Sequence, residues 1–167
     1  VTITDDSRVV VGGTTHLVES ASLLNLDDGG TLLTSNLVIG GTLNWRGGTL
    51  GFDGTITGNL GVPEEGLLHG VGTITGNVTN AGMFSPGSSP GVVNIMGDFT
   101  QDATGTLVIE LAGLLAGDDY DQLVIGGNAT LGGTLDVLVL GGFTLADGMQ
   151  FDIITVDGTL TGTFVGL

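Results

Sequence analysis

The densest run of groups able to do chemistry is Asp118-Asp119-Tyr120-Asp121. A cluster of carboxylates can hold Ca²⁺, which takes about six to eight oxygen ligands. The Gly-Gly-x-Gly-x-Asp repeat of calcium-binding β-rolls is absent, however. The run is therefore read as a turn in which Asp121 accepts hydrogen bonds from backbone amides. Glu64-Glu65 and Asp5-Asp6 are adjacent acids as well. A glycosidase needs two carboxyl groups facing each other across a substrate, whereas adjacent side chains point apart. His16 and His69 are the side chains whose ordinary pKa lies near neutrality. Neither has a serine and an acid at recognisable spacing, and there is no Gly-x-Ser-x-Gly elbow. Both read as surface or turn residues. Trp45-Arg46 stands beside Gly47-Gly48; an exposed indole there could stack on a sugar, but a single tryptophan reads first as a core or corner filler. Thr-x-Thr pairs occur at Thr2/Thr4, Thr55/Thr57, Thr73/Thr75, Thr159/Thr161 and Thr161/Thr163. Such pairs can order water and bind ice when many coils share one register, but the β-propensity of threonine accounts for them as well. No catalytic, cofactor-binding or metal-ligating residue is assigned.

The elements that would position these groups are announced by a unit of glycine, threonine and then Leu or Ile. It appears at Gly41, Gly48, Gly54, Gly72, Gly105, Gly133 and Gly158. Gly54-Thr-Ile-Thr-Gly-Asn59 returns unchanged, 18 residues later, as Gly72-Thr-Ile-Thr-Gly-Asn77. A turn glycine followed by a β-branched and an aliphatic residue opens a strand. Its return at about one solenoid coil predicts stacked rungs. Turns fall at Asp27-Asp28-Gly29-Gly30, Gly40-Gly41, Gly47-Gly48, Gly54, Gly58 and Gly61. Val62-Pro-Glu-Glu-Gly66 interrupts the pattern and is expected to bulge from one coil. His16–Leu26 is the best helix candidate, but Ser, Asn and β-branched residues break its apolar stripe. From Gly97 onward the strands are expected to lengthen, and the alternation of Thr134–Leu140 suggests a strand covered on both sides. Asp53-Gly54, Asp147-Gly148 and Asp157-Gly158 are hairpin dipeptides, so a C-terminal cap could contain a hairpin. At about 20 residues per coil, the chain makes roughly eight coils, a rod on the order of 40 Å long.

Composition narrows the function. The chain has 33 Gly, 41% hydrophobic residues, 18 acidic residues against two arginines, no lysine and no cysteine. High apolar content argues against disorder, and glycine without a three-residue period argues against collagen. A net charge of −16 leaves no basic face for nucleic acid and is repelled by an anionic membrane surface. The absence of lysine excludes Schiff-base chemistry and a Lys–Asn isopeptide bond. The absence of cysteine excludes disulfides and thiolate metal sites. No run approaches the ~18 apolar residues of a transmembrane segment. Val1-Thr-Ile-Thr-Asp5 has neither a basic nor an apolar leader region, which reads as a mature product or a piece of a longer protein.

Gly76-Asn-Val-Thr-Asn-Ala-Gly-Met-Phe-Ser-Pro-Gly-Ser-Ser-Pro-Gly91 resembles a turn found in bacterial autotransporter-type passenger domains. Gly97-Asp-Phe-Thr-Gln101, Gly105-Thr-Leu-Val-Ile-Glu-Leu111, Tyr120-Asp-Gln-Leu-Val-Ile-Gly126, Ala129-Thr-Leu131 and Gly133-Thr-Leu135 follow in the order seen in autotransporter-associated repeat proteins. The match runs from about Gly54 to Phe164, and Pro-Gly-Ser-Ser-Pro-Gly is its most specific part. The resemblance implies a right-handed parallel β-helix displayed on, or shed from, a bacterial surface. No β-barrel translocator follows the match before Leu167, and the family brings no shared catalytic residues.

These readings predict one all-β solenoid domain over 1–167, with short rungs over 1–96 and a longer-strand segment over 97–167. The expected role is a non-enzymatic structural or adhesive module at a bacterial cell surface, self-associating into filaments or holding a cell-surface or carbohydrate ligand. A carbohydrate-binding or carbohydrate-cleaving β-helix is the alternative, with a Thr-array ice binder behind it. No nucleic acid, cofactor or metal is expected, and the Asp118–Asp121 turn is where calcium would be looked for.

Overall fold

The computed structural model describes residues 2–4, 7–17, 23–87 and 90–166, and the backbone alone for 14–17. Every pair of named strands among these residues is parallel. The chain winds as a coil with three sheet faces. It opens with β1 (Thr2–Ile3), β2 (Arg8–Leu17), β3 (Leu23–Leu26), β4 (Thr31–Ile39) and β5 (Thr42–Trp45). Next come β6 (Gly48–Phe52), β7 (Thr55–Thr57) and β8 (Leu60–Val62), then β9 (Gly66–Gly70), β10 (Gly72–Ile74) and β11 (Val78–Asn80). The following coil holds β12 (Met83–Pro86), β13 (Val92–Ile95) and β14 (Phe99–Gln101). The last two hold β15 (Thr106–Leu111), β16 (Gln122–Ile125) and β17 (Ala129–Leu131), then β18 (Thr134–Val139), β19 (Ile154–Val156) and β20 (Leu160–Gly162).

The first face stacks β2, β4, β6, β9, β12, β15 and β18, and the second stacks β7, β10, β13, β16 and β19 on the C-terminal half of β4. The third face carries β1, β3 and β5, and separately β8, β11, β14, β17 and β20. A strand that returns parallel to itself through such crossovers takes the right-handed sense.

Register explains the core. On the first face Leu32, Leu50, Leu68, Phe84, Leu107 and Leu135 lie one above another. On the second, Leu37, Ile56, Ile74, Ile95 and Ile125 do the same. All are buried. Because side chains alternate along a strand, each rung gives one or two such positions per face, and like stacks on like. The two copies of the six-residue unit lie in this register, Thr73 on Thr55 and Ile74 on Ile56. The glycine-threonine unit itself opens strands on all three faces: Gly48, Gly105 and Gly133 lead into the first, Gly54 and Gly72 into the second, and Gly41 and Gly158 into the third. A backbone corner that must pass close beneath another coil needs the same residues whichever face follows.

Among the described residues of His16–Leu26 the chain is strand, in keeping with the broken apolar stripe: His16 and Leu17 end β2, Leu23–Leu26 form β3, and 18–22 lie outside the described residues. Other expectations are corrected. Val62–Gly66 does not bulge; Gly66 N–H donates to Pro63 O at 2.8 Å, and Gly66 stacks on Gly48 in an ordinary corner. The hairpin dipeptides Asp53-Gly54 and Asp157-Gly158 turn coil corners between parallel strands. Thr134–Val139 is not covered on both sides, since Asp136, Leu138 and Val139 are exposed. The longest strands are β2 and β4, near the N-terminus. What grows toward the C-terminus is the chain between the first and second faces, 112–121 in one coil and 140–153 in the next. Ladder bonds record the lengthening: successive coils are offset by 18, 21, 30 and 31 residues at Asn77→Asn59, Asp98→Asn77, Asn128→Asp98 and Thr159→Asn128.

Candidate functional site

The corner between the first and second faces is where the acidic run lies. Asp121 is fully buried. Its Oδ1 accepts from Gly91 N–H and its Oδ2 from Glu110 N–H, both at 2.8 Å. One carboxylate thus ties Gly91 of one coil to the strand of the next. The Asp121 carboxyl is pushed up to about 6 by burial, which outweighs the two amide donors; the nearby Glu110 charge adds to the rise. The contact also accounts for a glycine of the Pro-Gly-Ser-Ser-Pro-Gly run: Gly87 has φ of 117°, and a Cβ there would lie 2.3 Å from Asp121 Oδ1. Ser88 and Ser89 lie outside the described residues.

The rest of the acidic run points elsewhere. Asp119 Oδ2 accepts from Leu114 and Leu115 N–H at 3.1 Å each, closing its own loop. Asp118 is exposed. Tyr120 is buried with its ring edge-on to Phe151 at 5.3 Å, and Phe151 meets Phe143 the same way at 6.3 Å. The expected amide-bonding role of Asp121 holds, but in the interior rather than in a solvated turn. Among the described residues, no three His, Cys, Asp or Glu side chains are grouped so as to hold a metal ion.

The other candidates are dispersed. Glu64 and Glu65 are exposed in one turn between β8 and β9. Asp5 and Asp6 lie outside the described residues. His16 sits in β2 with its backbone opposite Val38, and its side chain lies outside what is described. His69 is half-buried on the outer side of the first face, its imidazole covering Gly51, where a Cβ would meet Nε2 at 2.7 Å. Burial lowers its pKa, favouring the neutral ring. It borders a groove of about 270 Å³ with Val10, Leu33, Phe52 and Asp53. Trp45 is buried and its Nε1–H donates to Gly47 O at 2.8 Å, so its face is not offered to a sugar. Arg46 is exposed and pairs with Asp27 at 2.7 Å.

Of the threonine pairs, Thr55 and Thr73 stack, but Asn94, Val124 and Thr155 continue that column, so it is not a threonine array. A longer one stands on the third face, where Thr79, Thr100, Thr130 and Thr161 lie in register. Thr130 and Thr161 hydroxyls are 3.2 Å apart.

Sequence reasoning missed a polar ladder. At the corner leading to the third face, Asn59 accepts from Asn77 N–H, Asn77 from Asp98 N–H, Asp98 from Asn128 N–H and Asn128 from Thr159 N–H, at 2.7–3.0 Å. Its signal was present as Gly58-Asn59, Gly76-Asn77, Gly97-Asp98 and Gly127-Asn128. Inside, Asn80 donates to Gln101 Oε1 at 3.2 Å, and Gln101 donates to Thr134 O at 2.8 Å.

Comparison with known proteins places this architecture. The chain is 36% identical over 143 residues to the adhesin BmaC autotransporter of Brucella suis biovar 1 (strain 1330), an alignment covering 80% of this chain. The chain spans only 4% of that protein's length. No family model and no solved structure matches. The chain is an all-parallel β-helix similar to a short segment of an autotransporter adhesin.

Proposed function

We propose that the chain is an adhesive β-solenoid module of a secreted bacterial surface protein, with a binding rather than a catalytic role. The observation that carries this reading is the unbroken ladder of the first two faces, which gives a stiff rod with stacked aliphatic columns inside and carboxylates outside. The similarity to an autotransporter adhesin supports the surface setting. A rod of net charge −16 stays soluble and holds a ligand-bearing surface away from the cell. The chemistry available on it is hydrogen bonding and shape: threonine, asparagine and loop backbone.

The test is retention of beads coated with the purified segment on a panel of host-cell matrix proteins and glycans. Retention on at least one surface, competed by free segment, is the expected result. Retention no better than that of bare beads on every surface would overturn the adhesive reading.

A second reading, self-association, is favoured by the apolar residues exposed near the last described rung. Leu138, Val139 and Leu160 are roughly half exposed and Val165 is 83% exposed. Val165 N–H already bonds Gly133 O, and Gly166 O accepts from Leu135 N–H, which starts a further layer on the first face. A second copy could continue that layer into filaments. Electron microscopy at low and high concentration decides: ordered fibres support self-association, and uniform short rods at both concentrations refute it.

A further inference from the structure

The third face is interrupted. β5 and β8 belong to separate sheets, although the same two coils pair through β4–β6 on the first face and β4–β7 on the second. Bond direction shows which groups the break leaves over. Arg46 N–H donates to Leu26 O at 2.9 Å. In a parallel ladder alternate residues bond to opposite sides, so Asn44 and Arg46 turn toward β3 while Leu43 and Trp45 turn away. Leu60 N–H donates to Asn77 O, and Val62 O accepts from Ala81 N–H, each at 2.9 Å. Leu60 and Val62 therefore serve β11, and Gly61 turns away. By that alternation the main-chain N–H and C=O groups of Leu43, Trp45 and Gly61 turn toward the break, across which β5 and β8 form no ladder. Between them lies a notch of about 380 Å³ bordered by Ile39, Leu43, Trp45, Asn59, Leu60 and Gly61. That volume is within the range of ligand sites.

The ends of the break carry charge. Beyond Trp45 and Val62 the chain turns at Gly47-Gly48 and Glu64-Glu65, where Gly48 N–H donates to Glu65 O at 3.1 Å. Asp28, Glu64 and Glu65 border a second recess of about 380 Å³ at this turn. The arginine nearby, Arg46, is already paired with Asp27.

We infer that the break between β5 and β8 is a docking site for an extended peptide segment of about three uncharged residues followed by Lys or Arg. Running parallel to its neighbours, the segment restores the missing ladder, its N–H and C=O groups pairing with Leu43, Trp45 and Gly61. A strand is the ligand whose polar groups repeat at the spacing of Leu43, Trp45 and Gly61. The notch itself is lined by uncharged residues, so the docked part is uncharged. The basic residue that follows reaches Asp28, Glu64 and Glu65, and an acidic flank is repelled there. The inference goes beyond the adhesive reading and stands or falls separately from it, because it concerns a peptide partner and is read without any cell surface.

Trp45 is the chain's single tryptophan and lines the notch, so its fluorescence reports occupancy. The probes are the capped peptide Thr-Leu-Thr-Lys-Lys, the same peptide N-methylated on alternate amides, and a version ending in Glu-Glu. The expected result is a saturable change in emission with the basic peptide, at least ~10-fold weaker binding for the N-methylated and acidic versions, and ~5-fold weaker binding to E64Q/E65Q at low salt. Gly61→Pro removes one of the waiting N–H groups at a position with open space around it. It should abolish binding while leaving the unfolding midpoint near that of the parent. Hydrogen exchange of the free protein supplies the control: Leu43, Trp45 and Gly61 amides should exchange fast and become protected on binding. No saturable change, equal binding of the N-methylated peptide, or protection of those amides before peptide is added would each overturn the proposal.

Discussion

The coils from Gly48 to Asn80 and those from Thr106 to Gly162 share one ladder but close the corner between the first and second faces differently. In the first group the coil repeats at 18 residues and the corners are bare backbone. At Gly72, with φ of 126°, a Cβ would lie 1.9 Å from Gly54 O, and at Gly70, with φ of 138°, it would lie 1.8 Å from Phe52 O. Coil passes on coil with no room for a side chain. In the second group, coils of 30 and 31 residues carry excursions out of the first corner, held by the Asp121 carboxylate and the Tyr120–Phe151–Phe143 contacts. Around Gly141, Gly142 and Gly148 a Cβ would meet nothing within 4 Å. A parallel ladder fixes the strands and leaves corner length free, provided that the corner's polar groups find partners.

The difference is broken most severely by putting a side chain into a bare corner. Gly72→Val combines a positive φ with a clash against backbone and should cost roughly 3–5 kcal/mol, read as a lowered urea midpoint. Gly142→Val, also at positive φ (75°) but in open space, should cost only about 1–2 kcal/mol. Equal effects would refute the claim that the early corners differ by close approach.

Phe84→Ala tests the shared part, since Phe84 is fully buried in the first-face column, 6.2 Å from Phe99. A loss of about 3–5 kcal/mol is expected, with unfolding of both regions together in one transition. Two separate transitions would mean that the coils do not share one core.

Asp121→Ala acts on the later corner alone. Gly91 and Glu110 N–H would lose their acceptors at a cost of roughly 2–4 kcal/mol. Hydrogen exchange should quicken over 87–121 while Gly48–Asn80 stays protected.

A pH slope isolates the same carboxylate. Because the folded Asp121 pKa of about 6 stands above the usual 3.8, the folded state holds the proton more readily. Its contribution to stability is fully present below about pH 3.8 and is lost as pH rises through about 6. In Asp121→Asn this slope should vanish. An unchanged difference in stability between wild type and variant from pH 4 to pH 7 would contradict the assignment.

Much of the rod was legible before any coordinates. Gly54–Asn59 and Gly72–Asn77 repeat because they stack, and Asp27-Asp28-Gly29-Gly30 turns where expected, with Gly30 N–H on Asp27 O at 3.0 Å. Asp121 was legible as an amide acceptor, since an Asp in a turn bonds nearby backbone amides, but its burial was not. The C-terminal coils were read less well. Phe151–Ile153 look like the start of a strand, yet they belong to an excursion and only Ile154–Val156 pair, because periodicity cannot tell an apolar loop packed on Tyr120 from an apolar strand.

The amino-acid sequence by itself determined the local conformations: where the chain turns, which residues open strands and which aliphatic positions must be buried; it also set the net charge of −16. These follow from nearest neighbours, from the steric freedom of glycine and from composition. Only the tertiary structure decided which coil meets which. That Asp121 bonds a glycine 30 residues earlier, that Asn59 through Thr159 form one ladder, and that β5 and β8 fail to pair are facts of register between distant segments. Register is set by how all three faces stack at once, so no single stretch of sequence carries it.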